Sequence, residues 1–202
     1  MVNDEIEKSF HIDESNINTW DRRKRKKKLL SETANSETGK PRFEIVGDRT
    51  LNNIHGREIS KDGNVKVIPY SGASSVDMKD HSQPSLRRKP DCLVFVMGTN
   101  DITKEIDTIQ NLQQIVNRAR KKSSNTKIVI SEVLMRHDYP NIERKIDKLS
   151  NDLKSLCEEN LLAFLKHENF DNSYLSKGML HPNKKGKAYL AINFITFIND
   201  LK

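Results

Sequence analysis

The chain has 202 residues, enough for one ordinary domain with a buried core plus a tail, which argues against a multi-domain machine. Its 35 basic and 28 acidic side chains leave a net charge of +7, and apolar residues make up 35%, too many for wholesale disorder. Cys92 and Cys157 are far apart with no metal-ligand spacing, so neither a disulfide framework nor a zinc site is signalled, and a reducing compartment is expected.

Residues 1–41 are rich in Ser, Asn, Glu and Lys, show little apolar periodicity, and read as a disordered leader. Within it, Arg22 to Lys28 is an unbroken basic run, RRKRKKK. Such a run repels itself and attracts polyanions, which suits a nuclear import signal, a nucleic-acid contact, or simply a solvated tail. Met1 to Lys8 is acidic and has no apolar stretch of the kind a secretory signal needs. The apolar stretch around Leu93 to Met97 falls far short of the ~20 residues of a membrane helix. A soluble intracellular protein, cytoplasmic or nuclear, with no membrane partner, is the expectation.

The body, residues 42–202, alternates strand and helix. Phe43 to Val46 is a short apolar run ending in Gly47-Asp48; Val65 to Tyr70 ends in Ser71-Gly72; Cys92 to Met97 is wholly apolar and ends in Gly98. Each reads as a buried parallel strand closing in a turn. Ile106, Ile109, Leu112, Ile115, Val116 and Ala119 then form a helical stripe. Lys127 to Val133 predicts a fourth strand, Ile142, Ile146, Leu149, Leu153 and Leu156 a second amphipathic helix, and Leu161 to Leu165 a fifth strand. A last helix runs from about Lys184 to the C-terminus, carrying Tyr189, Leu190, Phe194, Phe197 and Ile198. This alternation implies right-handed crossovers and a five-stranded parallel sheet covered on both faces. Ligands bind such sheets where the strands end.

Four segments gather there: Gly47-Asp48-Arg49, Ser71-Gly72-Ala73, Gly98-Thr99-Asn100-Asp101, and Leu180-His181-Pro182-Asn183 before the final helix. In that order they resemble the SGNH (GDSL-type) hydrolases, and most closely the esterase-like domain encoded by many animal retrotransposons. The resemblance covers the whole body. It implies a three-layer α/β/α flavodoxin-like fold with sheet order 2-1-3-4-5 and hydrolysis of ester bonds without a cofactor. By motif, His181 matches the general base, while Gly72 and Asn100 match donors to the oxyanion.

Arg49 stands where the family keeps its nucleophilic serine, and a guanidinium, protonated at any useful pH, cannot attack a carbonyl. The family's acid, three residues before the histidine, is Gly178 here. An inactive relative, a pseudoenzyme, is therefore expected. Thr50, Ser71, Ser74 and Ser75 are the nearby hydroxyls that a relocated nucleophile would need. Arg49 either points to solvent in a decayed site or, with Gly72 and Asn100, makes an anion site for a small carboxylate or phosphate. The alternative reading is a polyanion- or nucleic-acid-binding module of a retroelement-derived protein, using Arg22 to Lys28 and the basic body. Asp48 and Asp101 are expected to shape their turns. His55, His81, His137 and His167 are scattered, so no metal is indicated and surface or supporting roles are expected. Leu86 to Pro90 reads as a solvated basic loop, and Arg118 to Lys122 as a cationic helix end.

Overall fold

The computed structural model describes residues 39–201. The leader's basic run lies outside the described residues. The body is a five-stranded, wholly parallel sheet in the order β2-β1-β3-β4-β5, as the resemblance implied. The strands are β1 (Phe43–Gly47), β2 (Val65–Pro69), β3 (Cys92–Val96), β4 (Lys127–Ser131) and β5 (Ala163–Leu165). The helices are α1 (Gly56–Ile59), α2 (Ser75–His81), α3 (Gln83–Arg88), α4 (Thr99–Lys104), α5 (Thr108–Lys122), α6 (Ile142–Glu159) and α7 (Lys184–Leu201). Short 3-10 turns occupy Arg49–Leu51 and Asn172–Tyr174.

Central strands β1 and β3 are buried at every position, because helices cover both faces. One core layer sets Val46, Leu93, Phe95 and Ile130 against Leu112, Ile115, Val116, Ile146 and Leu153 of α5 and α6. The opposite layer sets Ile45, Val94 and Val129 against Leu190, Phe194 and Ile198 of α7. The apolar stripes of α5 and α6 thus point where the spacing placed them. Both cysteines are free and buried, and burial pushes their thiols up to about 12, leaving them protonated and inert. Among the described residues no helix is long and apolar enough to cross a membrane.

Several boundaries differ from the sequence expectations, each for a local reason. β4 stops at Ser131, after which the Glu132 carboxylate accepts the His167 backbone N–H at 2.7 Å. β5 begins only at Ala163, because Leu161 takes a left-handed φ of 54° that no strand accommodates. α5 begins at Thr108, capped by Asp107, whose side chain accepts the Gln110 N–H. Leu86 to Arg88 is not a solvated loop: it belongs to α3, and the Arg88 guanidinium grips the buried Glu44 carboxylate at 2.6 and 2.7 Å. α2, α3 and α4 were too short to show a period.

Candidate functional site

Because every strand is parallel, the loops leaving β1, β2 and β3 open on one edge of the sheet. Gly47 ends β1 so close to β3 that an added Cβ would lie 2.3 Å from the Val96 carbonyl oxygen, which makes glycine obligatory there. Asp48 is 2% exposed. Its N–H donates to Val96 O at 3.1 Å, its Oδ1 accepts the Thr50 N–H at 2.8 Å, and its Oδ2 accepts the Thr99 hydroxyl. It therefore shapes its turn, as expected, and also ties the first loop to the third.

Arg49 opens the 3-10 turn with its side chain exposed. Among the described residues it has no hydrogen-bond or ion-pair partner. The neighbouring Thr50 is buried and its hydroxyl has none either, so it does not present itself to the site. The other hydroxyls are engaged: Ser74 Oγ donates to Asp77 at 2.7 Å, Ser75 Oγ accepts from Asn111 at 2.9 Å, and Ser71 Oγ accepts from Asn52 at 3.3 Å.

Gly72 lies exposed in the second loop at φ +77°, a conformation that favours glycine. Asn100 reaches across to this loop, its amide donating to Ala73 O at 2.8 Å. Asp101, fully buried, accepts the Ser75 N–H and the Thr108 hydroxyl at 2.8 Å each, so it too is structural.

His181 is held by a small lattice of backbone bonds before α7. Leu175 and Pro182 form an antiparallel bridge, and the Ser176 N–H donates to His181 O at 2.8 Å. The Asn183 amide donates to Ser173 O and Leu175 O at 2.8 Å, and its Oδ1 accepts the Gly186 N–H at 2.9 Å. The imidazole is half-buried, and its Nδ1 is buried without a hydrogen-bond partner among the described residues. Burial, then the Arg49 charge, hold His181 below the ordinary histidine range; Asp48 partly opposes them, with smaller effects from Arg136 and Asp138. At neutral pH the ring is uncharged and able to accept a proton. Gly178, three residues before it, is exposed and offers no carboxylate.

Sequence reasoning missed Arg136 and Asp138, in the loop after β4. Arg136 is 5% exposed, clasps Asp138 with two bonds of 2.6 Å, and donates to Thr99 O at 2.9 Å. This pairing holds the Asp138 carboxyl below its ordinary range. The signal was available: the loop follows a buried strand of a parallel sheet, where ligand sites form. Thr99, through bonds to Asp48 and Arg136, links three loops, while Arg49 and His181 lie close enough for the guanidinium charge to perturb the ring. A neighbouring pocket of about 140 Å³, lined by Ile102, Thr103, Glu105, Tyr139, Ile142 and Lys145, includes neither of them.

Of the surface or supporting roles expected for it, His167 takes the supporting one. It is buried, with Nε2 2.7 Å from Ser131 Oγ and Nδ1 3.1 Å from Asn193 Nδ2. Because Asn193 donates to Nδ1, the proton sits on Nε2 and points at Ser131, so His167 cannot serve that serine as a base.

Comparison with known proteins adds the family context. A family model described as GDSL-like Lipase/Acylhydrolase family matches residues 33–189. A GDSL-like lipase from Bacteroides thetaiotaomicron has the same fold at TM-score 0.71 and 17% identity, covering 89% of this chain and 98% of its own. A carbohydrate esterase family 3 protein from Talaromyces cellulolyticus superposes at TM-score 0.68 and 15% identity, covering 80% and 98%. An acetylxylan esterase from Geobacillus stearothermophilus superposes at 0.61 and 15% identity, covering 80% and 94%. No match is found among curated proteins.

Proposed function

Since the chain belongs to the GDSL-like lipase/acylhydrolase family, we propose that it is a non-hydrolysing member, whose strand-end site is esterase-like but lacks a nucleophile. One observation supports this reading: an exposed arginine, Arg49, heads the turn after β1, the place that the order of the motifs assigns to the family's nucleophile. Acyl transfer needs an oxygen that attacks the carbonyl carbon as a base removes its proton, and the alkoxide then leaves with that proton. A guanidinium has no lone pair to offer and keeps its proton. The buried Thr50 hydroxyl and the engaged Ser71, Ser74 and Ser75 provide no substitute. His181 would act as base and Gly72 and Asn100 as oxyanion donors only once a serine oxygen were restored, and the unpartnered Nδ1 would leave its imidazolium weakly stabilised.

The ligand class proposed for the site is a small ester, carboxylate or phosphate, drawn to Arg49, which has no ion-pair partner among the described residues. Kinship with the esterase-like domain of animal retrotransposons is part of the same proposal, resting on the order of the four motifs. A role in binding polyanions, with the leader's basic run as one contributor, is the second reading; the uneven spread of charge over the body favours it.

The test is hydrolysis of p-nitrophenyl acetate by three proteins. The unaltered chain is expected to match the buffer rate, Arg49→Ser to exceed it, and Arg49→Ser with His181→Ala to lose that gain. Hydrolysis by the unaltered chain that His181→Ala abolishes would overturn the proposal.

A further inference from the structure

The strand-end site occupies one edge of the sheet; the opposite edge carries a concentration of positive charge. Two segments make it, residues 79–90 at the end of α2 and through α3, and residues 118–126 at the end of α5. Together they hold eight cationic side chains (Lys79, Arg87, Arg88, Lys89, Arg118, Arg120, Lys121 and Lys122) and a single carboxylate, Asp80. They are fastened into one surface: Arg118 donates to Lys79 O at 2.7 Å, Lys122 Nζ to Gln83 Oε1 at 2.7 Å, and Thr126 Oγ1 to Pro90 O at 2.6 Å. Both segments lead into the N-terminal ends of β3 and β4, which sets this surface at the edge remote from Arg49 and His181.

Little of that charge is compensated. Glu44 takes Arg88, and Asp80 takes Arg118 at 3.7 Å. Among the described residues Lys79 and Lys122 bond only neutral glutamine oxygens, and Arg120 only Asn160, so none of the three charges is neutralised there. Arg87, Lys89 and Lys121 are exposed and, among the described residues, have no ion-pair partner. Cations at the end of α5 answer its dipole, but that effect acts within the last turn and does not call for Arg87 or Lys89 on another helix.

We infer that this surface binds the phosphate backbone of a nucleic-acid duplex without reading its sequence. Six cations lacking a carboxylate partner among the described residues, gathered on one helix-built face, suit contact with the closely spaced charges of a duplex backbone. Neither segment contains Phe, Tyr or Trp, so there is no platform on which unpaired bases would stack. Nor is there an exposed large apolar side chain within either segment to anchor in a lipid interface. The inference locates the polyanion-binding reading on the body and is independent of whether the strand-end site hydrolyses esters.

The experiment measures binding of the full chain to a fluorescent random-sequence 20-base-pair DNA duplex by anisotropy, across a salt series. Three variants are compared with the unaltered chain: Arg87→Gln/Lys121→Gln/Lys122→Gln on this surface; Arg144→Gln/Lys145→Gln/Lys154→Gln at exposed positions of α6, removing equal charge elsewhere; and Arg22 to Lys28 changed to Gln in the leader. Each phosphate contact adds about 0.9 to the slope of log affinity against log salt, so the first variant is expected to flatten it by up to about 2.7 and to weaken binding at least roughly tenfold. The α6 variant is expected to retain most of the affinity. Equal losses in the first two variants would reduce the effect to net charge, and a loss confined to the leader variant would assign binding to residues 22–28; either overturns the inference. So would absence of duplex binding, including the case in which the chain binds only vesicles containing phosphatidylserine. Unchanged circular dichroism of the variants excludes unfolding as the cause.

Discussion

His167 supplies a pH dependence whose size follows from its surroundings. The ring is 5% exposed, bonded to Ser131 and Asn193, and meets the edge of Phe194, and burial alone holds it down at about 4 against an ordinary value of 6.5. Above the ordinary value both folded and unfolded chains carry a neutral ring, so pH has no effect through this group. Between the two values the unfolded chain binds a proton that the folded chain refuses, so stability falls as pH falls and levels off below the folded value. At about pH 4.5 the loss amounts to about 2–3 kcal/mol relative to neutral pH. Urea unfolding of the unaltered chain and of His167→Gln, between about pH 7.5 and pH 4.5, isolates the contribution. The substitution removes the titration while costing packing equally at every pH, so the variant's stability should change less with pH by about that amount. Parallel curves for the two proteins would refute the reasoning.

Three further outcomes are expected. Arg88→Met strands the buried Glu44 carboxylate and should cost about 2 kcal/mol in urea unfolding, moderated because the Arg88 side chain is 38% exposed; adding Glu44→Leu should recover much of it. Gly186→Ala places a Cβ 2.2 Å from Tyr174 O, so it should destabilise by more than about 2 kcal/mol and, combined with Arg49→Ser, remove any hydrolysis that Arg49→Ser gains, because Gly186 seats the loop carrying His181. Arg49→Gln should raise the His181 titration midpoint followed by NMR, while leaving it below the ordinary histidine value because burial is the larger cause. An unchanged midpoint would show that Arg49 and His181 do not interact.

Much of the architecture was legible in the chain itself. Five short strand-like runs, the first three closing in glycine-containing turns, separated by segments of helical period, imply a parallel sheet buried on both faces. Boundaries were not legible where one side chain or one dihedral set them, as with Glu132 after β4 and the left-handed Leu161 before β5. Arg88 read as a solvated charge because its partner, Glu44, is remote in sequence and reaches it only when β1 packs near α3. The same holds for His167, whose partners come from β4 and α7.

The four site motifs, and the arginine in the first of them, were read from sequence order, since the identity of the residue after Gly47-Asp48 is a local fact. By itself the sequence determined the fold class, because that follows from periodicity and turn chemistry, and it put an arginine after Gly47-Asp48, where the family resemblance expects a serine. Tertiary structure alone decided that Thr50 is buried, that His181 Nδ1 has no partner among the described residues, that Arg136 and Asp138 stand beside His181, and that residues 79–90 and 118–126 share one basic surface. Burial, unsatisfied hydrogen bonding and summed charge depend on which distant segments the folded sheet brings together, and no window of neighbouring residues contains that information.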